Sequence, residues 1–317
     1  MRGFARHALL RSASLLGISL LTVSLLGTSC ARHLPDPSPP GPSSGFPARV
    51  ELAGQPPVTV PHRPARIVSL SPSATETLFA IGAGAQVAAV DQNSTSPQQA
   101  PRTPLSAMTA DAAAVAAQQP DLVIAPTTAA QLARGLGAVG VPVLLTPAPS
   151  AVDGAYDQIE ALGRATGHSG QARALTGRMR SEIAGIVAST PKPRYPLRYY
   201  HEVSPDGYTA TSRTFVGNIY GLFGLANVAD DAGSTFPQLS AERLVHDDPE
   251  FVVLADGKCC RVTPASAAAR PGWATITAVR DHHVYPVDDD LAARWGPRVV
   301  ELVRAISNAV KETASTP

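Results

Sequence analysis

The sequence predicts an α/β protein of two similar lobes with parallel sheets, joined by one long α-helix and facing each other across a cleft. Three observations predict it. First, Gln119-Pro120-Asp121-Leu122-Val123-Ile124-Ala125 is echoed by Asp248-Pro249-Glu250-Phe251-Val252-Val253-Leu254-Ala255, each a proline, an acid and a short apolar run. The echo extends to both sides: Leu78-Phe79-Ala80-Ile81-Gly82 resembles Leu222-Phe223-Gly224-Leu225, and Ala138-Val139 before Pro142-Val143 resembles Ala278-Val279 before Val284-Tyr285. A short fixed period would mean a solenoid; a single long-range echo of three blocks means one lobe built twice. Second, apolar runs alternate with helical patterns, as parallel strands with crossover helices do, which makes each lobe Rossmann-like. Third, one uninterrupted helical pattern separates the two halves.

Residues 1–29 read as a signal peptide. Arg2, Arg6 and Arg11 precede an apolar stretch from Leu15 to Leu26, and no acid occurs before Asp36, the make-up of an export signal. The stretch is too short to span a bilayer comfortably. It ends in Leu26-Gly27-Thr28-Ser29-Cys30, which resembles the lipobox of bacterial lipoproteins and implies that Cys30 is lipidated and becomes the mature N-terminus. Residues 30–49 read as a tether, since Pro35, Pro37, Pro39, Pro40, Pro42 and Pro47 with Ser and Gly cannot build a core. The chain carries 26 basic and 25 acidic side chains; without the three arginines of the signal, 23 and 25 remain, a net charge of −2. That balance offers no electrostatic footprint for nucleic acid.

The first lobe is expected over 50–168, with strands at 58–60, 66–70, 87–90, 122–125 and 143–146. Helices are expected near 74–81, stopped by Gly82, and near 111–118 and 129–136. The linking helix spans 169–190: Ser169 reads as its N-cap, and Ala172, Leu175, Met179, Ile183, Ile186 and Val187 recur at helical spacing up to Thr190-Pro191. Twenty residues of helix is about 30 Å, a stiff link that limits opening of the cleft. The second lobe, 191–317, has strands near 198–203, 251–254 and 284–287.

Five phrases carry a resemblance. Arg66-Ile67-Val68-Ser69-Leu70-Ser71-Pro72-Ser73-Ala74-Thr75-Glu76, Pro120-Asp121-Leu122-Val123, Pro237-Gln238-Leu239-Ser240-Ala241-Glu242, Arg270-Pro271-Gly272-Trp273 and Arg294-Trp295-Gly296-Pro297-Arg298 together resemble the solute-binding proteins of ABC importers for ferric siderophores, haem and cobalamin. The resemblance covers roughly residues 50 to 312. It implies capture of such a ligand outside the cell membrane, or in the periplasm, by a lipid-anchored monomer without a cofactor, and delivery to a permease with a cytoplasmic ATPase. It also implies that Glu76 and Glu242, in the matching motifs, meet arginines of the permease from the outer faces of the lobes. A local reading competes: Ser73-Ala74-Thr75-Glu76 is a capping box, and Glu242 is a first-turn acid of a helix started by Ser240.

Open parallel sheets place ligands at the carboxyl ends of their strands. On the first lobe this points to Ser71, Pro72, Asn93, Ser94 and Thr127, all neutral. On the second it points to Tyr208, Arg213, the segment from Lys258 to Arg261, Arg294 and Trp295, a cationic and aromatic wall. Arginine forks suit the oxygens of an iron chelate, and aromatic rings suit a flat or corrin ring. On that balance the cationic wall leans to an iron chelate. The competing reading for each arginine is an ion pair with Asp206, Asp256 or Asp288 to Asp290. Trp273 reads as core.

Cys259 and Cys260 are adjacent, with Cys30 the only other cysteine. In an oxidising compartment they are expected to pair with each other, although neighbouring Cα atoms lie about 3.8 Å apart, below the usual disulfide range. Two reduced thiols or a metal or haem ligand are the alternatives. Enzymatic motifs are missing: there is no Gly-x-Ser-x-Gly, phosphate loop or His-Glu-x-x-His, and Gly167-His168-Ser169-Gly170 only resembles a nucleophile turn. Two other functions compete. One is capture of a bare zinc or manganese ion, which needs three or four converging ligands; His201 and Glu202 lie near the cleft, but His282 and His283 alternate in direction, and His62, His168 and His246 fall in connections. The other is a sensor or adhesive lipoprotein with no transport role.

Overall fold

The structure, a computed structural model, describes residues 45–315. The expected signal peptide, Cys30 and most of the expected tether lie outside the described residues. The tether's expected end at residue 49 is corrected: β1 (Ala48–Val50) pairs antiparallel with β2 (Val58–Val60). Val50 and Val60 turn inward and are fully buried, so this hairpin belongs to the first lobe's core.

The first lobe holds β3 (Ile67–Ser69), α1 (Pro72–Ala80), β4 (Val87–Val90), α2 (Ala112–Ala116), β5 (Leu122–Pro126), α3 (Ala130–Ala138) and β6 (Val143–Thr146). Its sheet is parallel throughout, in the order β4-β3-β5-β6. Strands this apolar bury both faces, as central parallel strands must. Two helices then join the lobes, α4 (Val152–Thr166) and α5 (Ser169–Ala188). The first was absent from the sequence reading. Gly167 in the left-handed conformation ends it, and His168, without a side-chain cap, stands at the N-cap expected of Ser169. Ala172, Leu175, Met179, Ile183 and Ile186 form the buried stripe of α5.

The second lobe holds β7 (Arg198–Glu202), α6 (Phe215–Gly221), β8 (Ala226–Asn227), α7 (Ala241–Asp247), β9 (Phe251–Leu254), α8 (Gly257–Cys260), α9 (Pro264–Ala268), α10 (Thr277–Arg280), β10 (Val284–Pro286), α11 (Asp289–Ala292) and α12 (Val299–Ser315). Its parallel sheet runs β8-β7-β9-β10. Counted along the chain within each four-stranded sheet, both have the strand order 2-1-3-4. The three sequence echoes fall on equivalent elements: β5 matches β9, the end of α1 matches the end of α6, and the α3–β6 junction matches α10–β10.

One continuous core runs from the first sheet through α4, α5 and α12 to the second sheet, joining Ile67, Leu122, Ile159, Met179, Tyr199 and Phe251. Each lobe has a separate outer core on its other face. Close packing of side chains makes this shared core continuous across both lobes. No helix among the described residues is long and apolar enough to cross a membrane.

Candidate ligand cleft

A cavity of about 420 Å³ opens at the carboxyl ends of strands from both sheets. Ala148, Pro149 and Ser150, after β6, form the first lobe's side. Val203 after β7, Ala255 after β9 and Asp289 to Ala293 around α11 form the second. Phe215, Phe236 and Trp295 supply three aromatic rings, and Arg213 the cation among the lining residues.

Trp295 is fixed by contacts outside its own lobe. Its indole N–H donates to Gln158 Oε1 on α4 at 3.1 Å and its backbone N–H to Ser73 Oγ on α1 at 3.2 Å. Its ring meets Phe215 edge-on, centroids 6.4 Å apart. Phe236 is 52% exposed, on a strap whose neighbouring carbonyls, Thr235 O and Pro237 O, accept from Thr211 and Thr209 backbone N–H groups. Val203 and Tyr208, joined by a backbone hydrogen bond of 2.9 Å, are also exposed. Exposed aromatic and aliphatic surface collected at a cavity mouth marks a binding site.

His201 lines the cavity floor while only 2% exposed, and its Nδ1 lies 2.8 Å from the Tyr220 hydroxyl. Burial pushes its pKa down to about 4, so the ring is neutral at ordinary pH. Glu202 beside it is occupied: Arg270 donates to both carboxylate oxygens at 2.6 and 2.8 Å. Trp273 is core, as its Pro-Gly start suggested, packing edge-on against Tyr200 and under Arg270.

Of the ten residues expected to touch ligand, Arg213 and Trp295 line the cavity. Arg213 also donates to Ser234 O at 2.7 Å. Tyr208 is exposed and its carbonyl accepts from the lining residue Val203, but it is not itself among the lining residues. The remainder are placed elsewhere. Ser71 is the buried N-cap of α1 and Pro72 its first residue; Ser94 is fully buried among Thr75 and Asp91; Thr127 opens a short turn after β5. Arg261 is an exposed left-handed C-cap of α8.

The expectation for Arg294 is corrected, and the ion-pair reading holds instead. Only 8% exposed, it donates to Glu76 Oε1 at 2.8 Å, Asn93 O at 2.9 Å, Thr95 Oγ1 at 3.0 Å and Asp290 Oδ1 at 2.7 Å. Asn93 therefore serves through its carbonyl, as a lobe contact. The same contact corrects Glu76. Its carboxylate is 5% exposed and points to Arg294, with Arg298 at 3.6 Å, and Ser71 rather than Ser73 caps the helix. Burial raises the Glu76 pKa, opposed by hydrogen bonding and attraction from Arg294. Gly296 permits the approach, because a Cβ there would lie 3.1 Å from Glu76 Oε2. Glu242, by contrast, is exposed in the first turn of α7, where Ser240 caps through Arg243 N–H at 3.2 Å.

Sequence reasoning missed Phe215, Phe236 and 148–150. Phe236 carried a usable signal: an aromatic directly before the Pro237-Gln238-Leu239-Ser240 phrase, outside any helical or strand pattern, has no core to fill.

Two parallel-sheet lobes joined through helices α4 and α5, with an apolar cleft at the strand ends, have the architecture of a solute-binding protein. The chain belongs to the periplasmic binding protein family, whose model matches residues 67–291. It is 32% identical to a cobalamin-binding protein of Halobacterium salinarum over 84% of this chain and 75% of that one. It is 31% identical to the ABC transporter substrate-binding lipoprotein YvrC of Bacillus subtilis over 84% and 86%. Among solved structures it is similar to the periplasmic haem-binding protein RhuT of Roseiflexus, with a TM-score of 0.71, 25% identity and coverage of 80% and 100%. The vitamin B12-binding protein BtuF of Vibrio cholerae shares the fold, with a TM-score of 0.68, 24% identity and coverage of 80% and 99%.

Proposed function

We propose that the protein captures a corrinoid of the cobalamin type and delivers it to an ABC importer, as a lipoprotein anchored through Cys30. The observation that carries this is the cavity lining: three aromatic rings and one cation, with Arg294 withdrawn into a lobe contact. The lean toward an anionic iron chelate rested on several cations sharing a wall. With Arg213 as the lining cation, ring and shape contacts outweigh charge. Of the two relatives above, the cobalamin-binding one supports the cargo, and the uncharacterised ABC transporter substrate-binding lipoprotein supports the transport role and the anchor.

A bare metal ion fits poorly. An apolar cavity of about 420 Å³ is out of scale with a single ion, and Glu202 is held by Arg270. Calorimetric titration with cyanocobalamin, haem, a ferric hydroxamate, a ferric catecholate and zinc decides among these. Saturable binding of cyanocobalamin at micromolar or lower Kd, tighter than the other four, is expected. Preferential binding of an iron chelate, haem or zinc would replace this reading. Loss of corrinoid uptake on deletion of the gene separates transport from a sensing or adhesive role.

A further inference from the structure

Cys259 and Cys260 form a disulfide between neighbours, and both residues are exposed. A bond between adjacent residues closes a small ring with no residues in between, so it contributes little of the chain-entropy stabilisation that a long-range disulfide supplies. Its effect is confined to its own peptide unit and the turn that contains it. That turn, α8, holds the cavity wall. Lys258 and Cys259 backbone N–H groups donate to the Asp289 carboxylate at 2.9–3.0 Å. Lys258 Nζ reaches Asp288 at 2.7 Å and Asp290 at 3.0 Å. Asp289, Ala292, Ala293 and Trp295 line the cavity, so this stretch hangs from α8 at one end and from Arg294–Glu76 at the other.

We propose that the Cys259–Cys260 ring is a modification site, reducible by an extracytoplasmic dithiol of the thioredoxin class, and that opening it loosens the 288–295 wall and weakens cargo binding. The effect on cargo rests on the cleft being the cargo site, as proposed above. In the reaction one thiolate of the reductant attacks a ring sulfur, forming a mixed disulfide and releasing the other cysteine, which takes a proton. The reductant's second thiol then displaces the first cysteine, which is also protonated. The protein gains two electrons and two protons, and the dithiol becomes a disulfide. A single helical turn has no stability of its own. Freeing the peptide inside it restores backbone conformational freedom, and the donors to Asp289 lose their fixed positions.

The test compares the native oxidised protein, protein reduced with dithiothreitol and desalted anaerobically, and the Cys259→Ser/Cys260→Ser variant. Amide hydrogen exchange over 288–295, measured without cargo, is expected to quicken at least fivefold in the reduced protein and the variant, and to return on reoxidation of the former. Cyanocobalamin affinity is expected to fall three- to tenfold in parallel. Unchanged exchange at 288–295, or a ring that dithiothreitol reduces only in denaturant, overturns the proposal. If cyanocobalamin fails to bind even the oxidised protein, the cargo assignment falls, and the exchange measurement still decides the redox site.

Discussion

Arg294 in the second lobe and Glu76 in the first form a buried ion pair of 2.8 Å across the lobe boundary. It lies beside the cleft, since the next residue, Trp295, lines the cavity. A buried pair is weak evidence for net stabilisation, but removing one partner leaves the other charge uncompensated. The pair therefore acts as a constraint on lobe spacing more than as a source of stability. Asp290, Asn93 and Thr95 extend it to both sides of the boundary.

Arg294→Met is expected to destabilise the fold by about 2–4 kcal/mol, below the upper range for a broken buried pair because Arg298 stays near Glu76. Urea denaturation measures it. The double variant Glu76→Gln/Arg294→Met should recover more than half of the loss. A single variant within about 0.5 kcal/mol of wild type would mean that the pair is open in solution.

Burial of Glu76 changes how permease docking is tested. Glu76→Arg would face Arg294 and Arg298, so it would damage folding before it informed on docking. Glu242 is exposed on α7 and free of that problem. Glu242→Arg is expected to lower uptake at least tenfold while leaving cyanocobalamin affinity in solution within about threefold, a difference under 1 kcal/mol. A parallel loss of affinity would move Glu242 into the ligand site.

The parallel sheets and the linking helix were legible in the sequence because their signals are local: 3.6-residue periodicity in α5 and apolar runs behind prolines in β5 and β9. The echo between lobes went further and foretold one lobe built twice, although strand β8 (Ala226–Asn227) left no mark in the sequence reading. The cavity lining was not legible in this way. Strand-end position is shared by many loops, and only the packing of α11 and the 235–237 strap selects which of them meet. Arg294 looked like a ligand fork because a guanidinium suits an anion wherever it comes from; here the anion is Glu76, 218 positions away. Nothing in the spacing of two such residues announces a contact at that range.

Asp256, the N-cap residue of α8 just after β9, is fully buried, and among the described residues no donor reaches either carboxylate oxygen. Burial raises its pKa, followed by the neighbouring Glu202, with Arg270 opposing. The folded protein thus holds a proton that the unfolded chain releases near pH 4. Stability is expected to fall as pH rises from about 4 through the raised folded value, and to level off above it. Asp256→Asn should flatten that slope and raise stability at pH 7.5 by about 1–3 kcal/mol. Urea midpoints at pH 5 and 7.5 for both proteins check it; parallel slopes would show that Asp256 ionises as freely folded as unfolded.

The cavity mouth separates a ring-shaped cargo from an anionic one. Phe236 is half exposed, so its truncation should leave folding nearly unchanged and act on the ligand. For a corrinoid, Phe236→Ala is expected to cost about 1–2 kcal/mol, roughly five- to thirtyfold in affinity. Arg213→Ala should then cost less than threefold, because its guanidinium is already engaged with Ser234 O. An iron chelate held by charge reverses the order: losing a charge-assisted contact costs about 1.5–3 kcal/mol, and the Arg213 variant would suffer most. Calorimetry of both variants with whichever ligand the wild type prefers reads the order directly, and equal small losses in both would place the cargo away from this cavity.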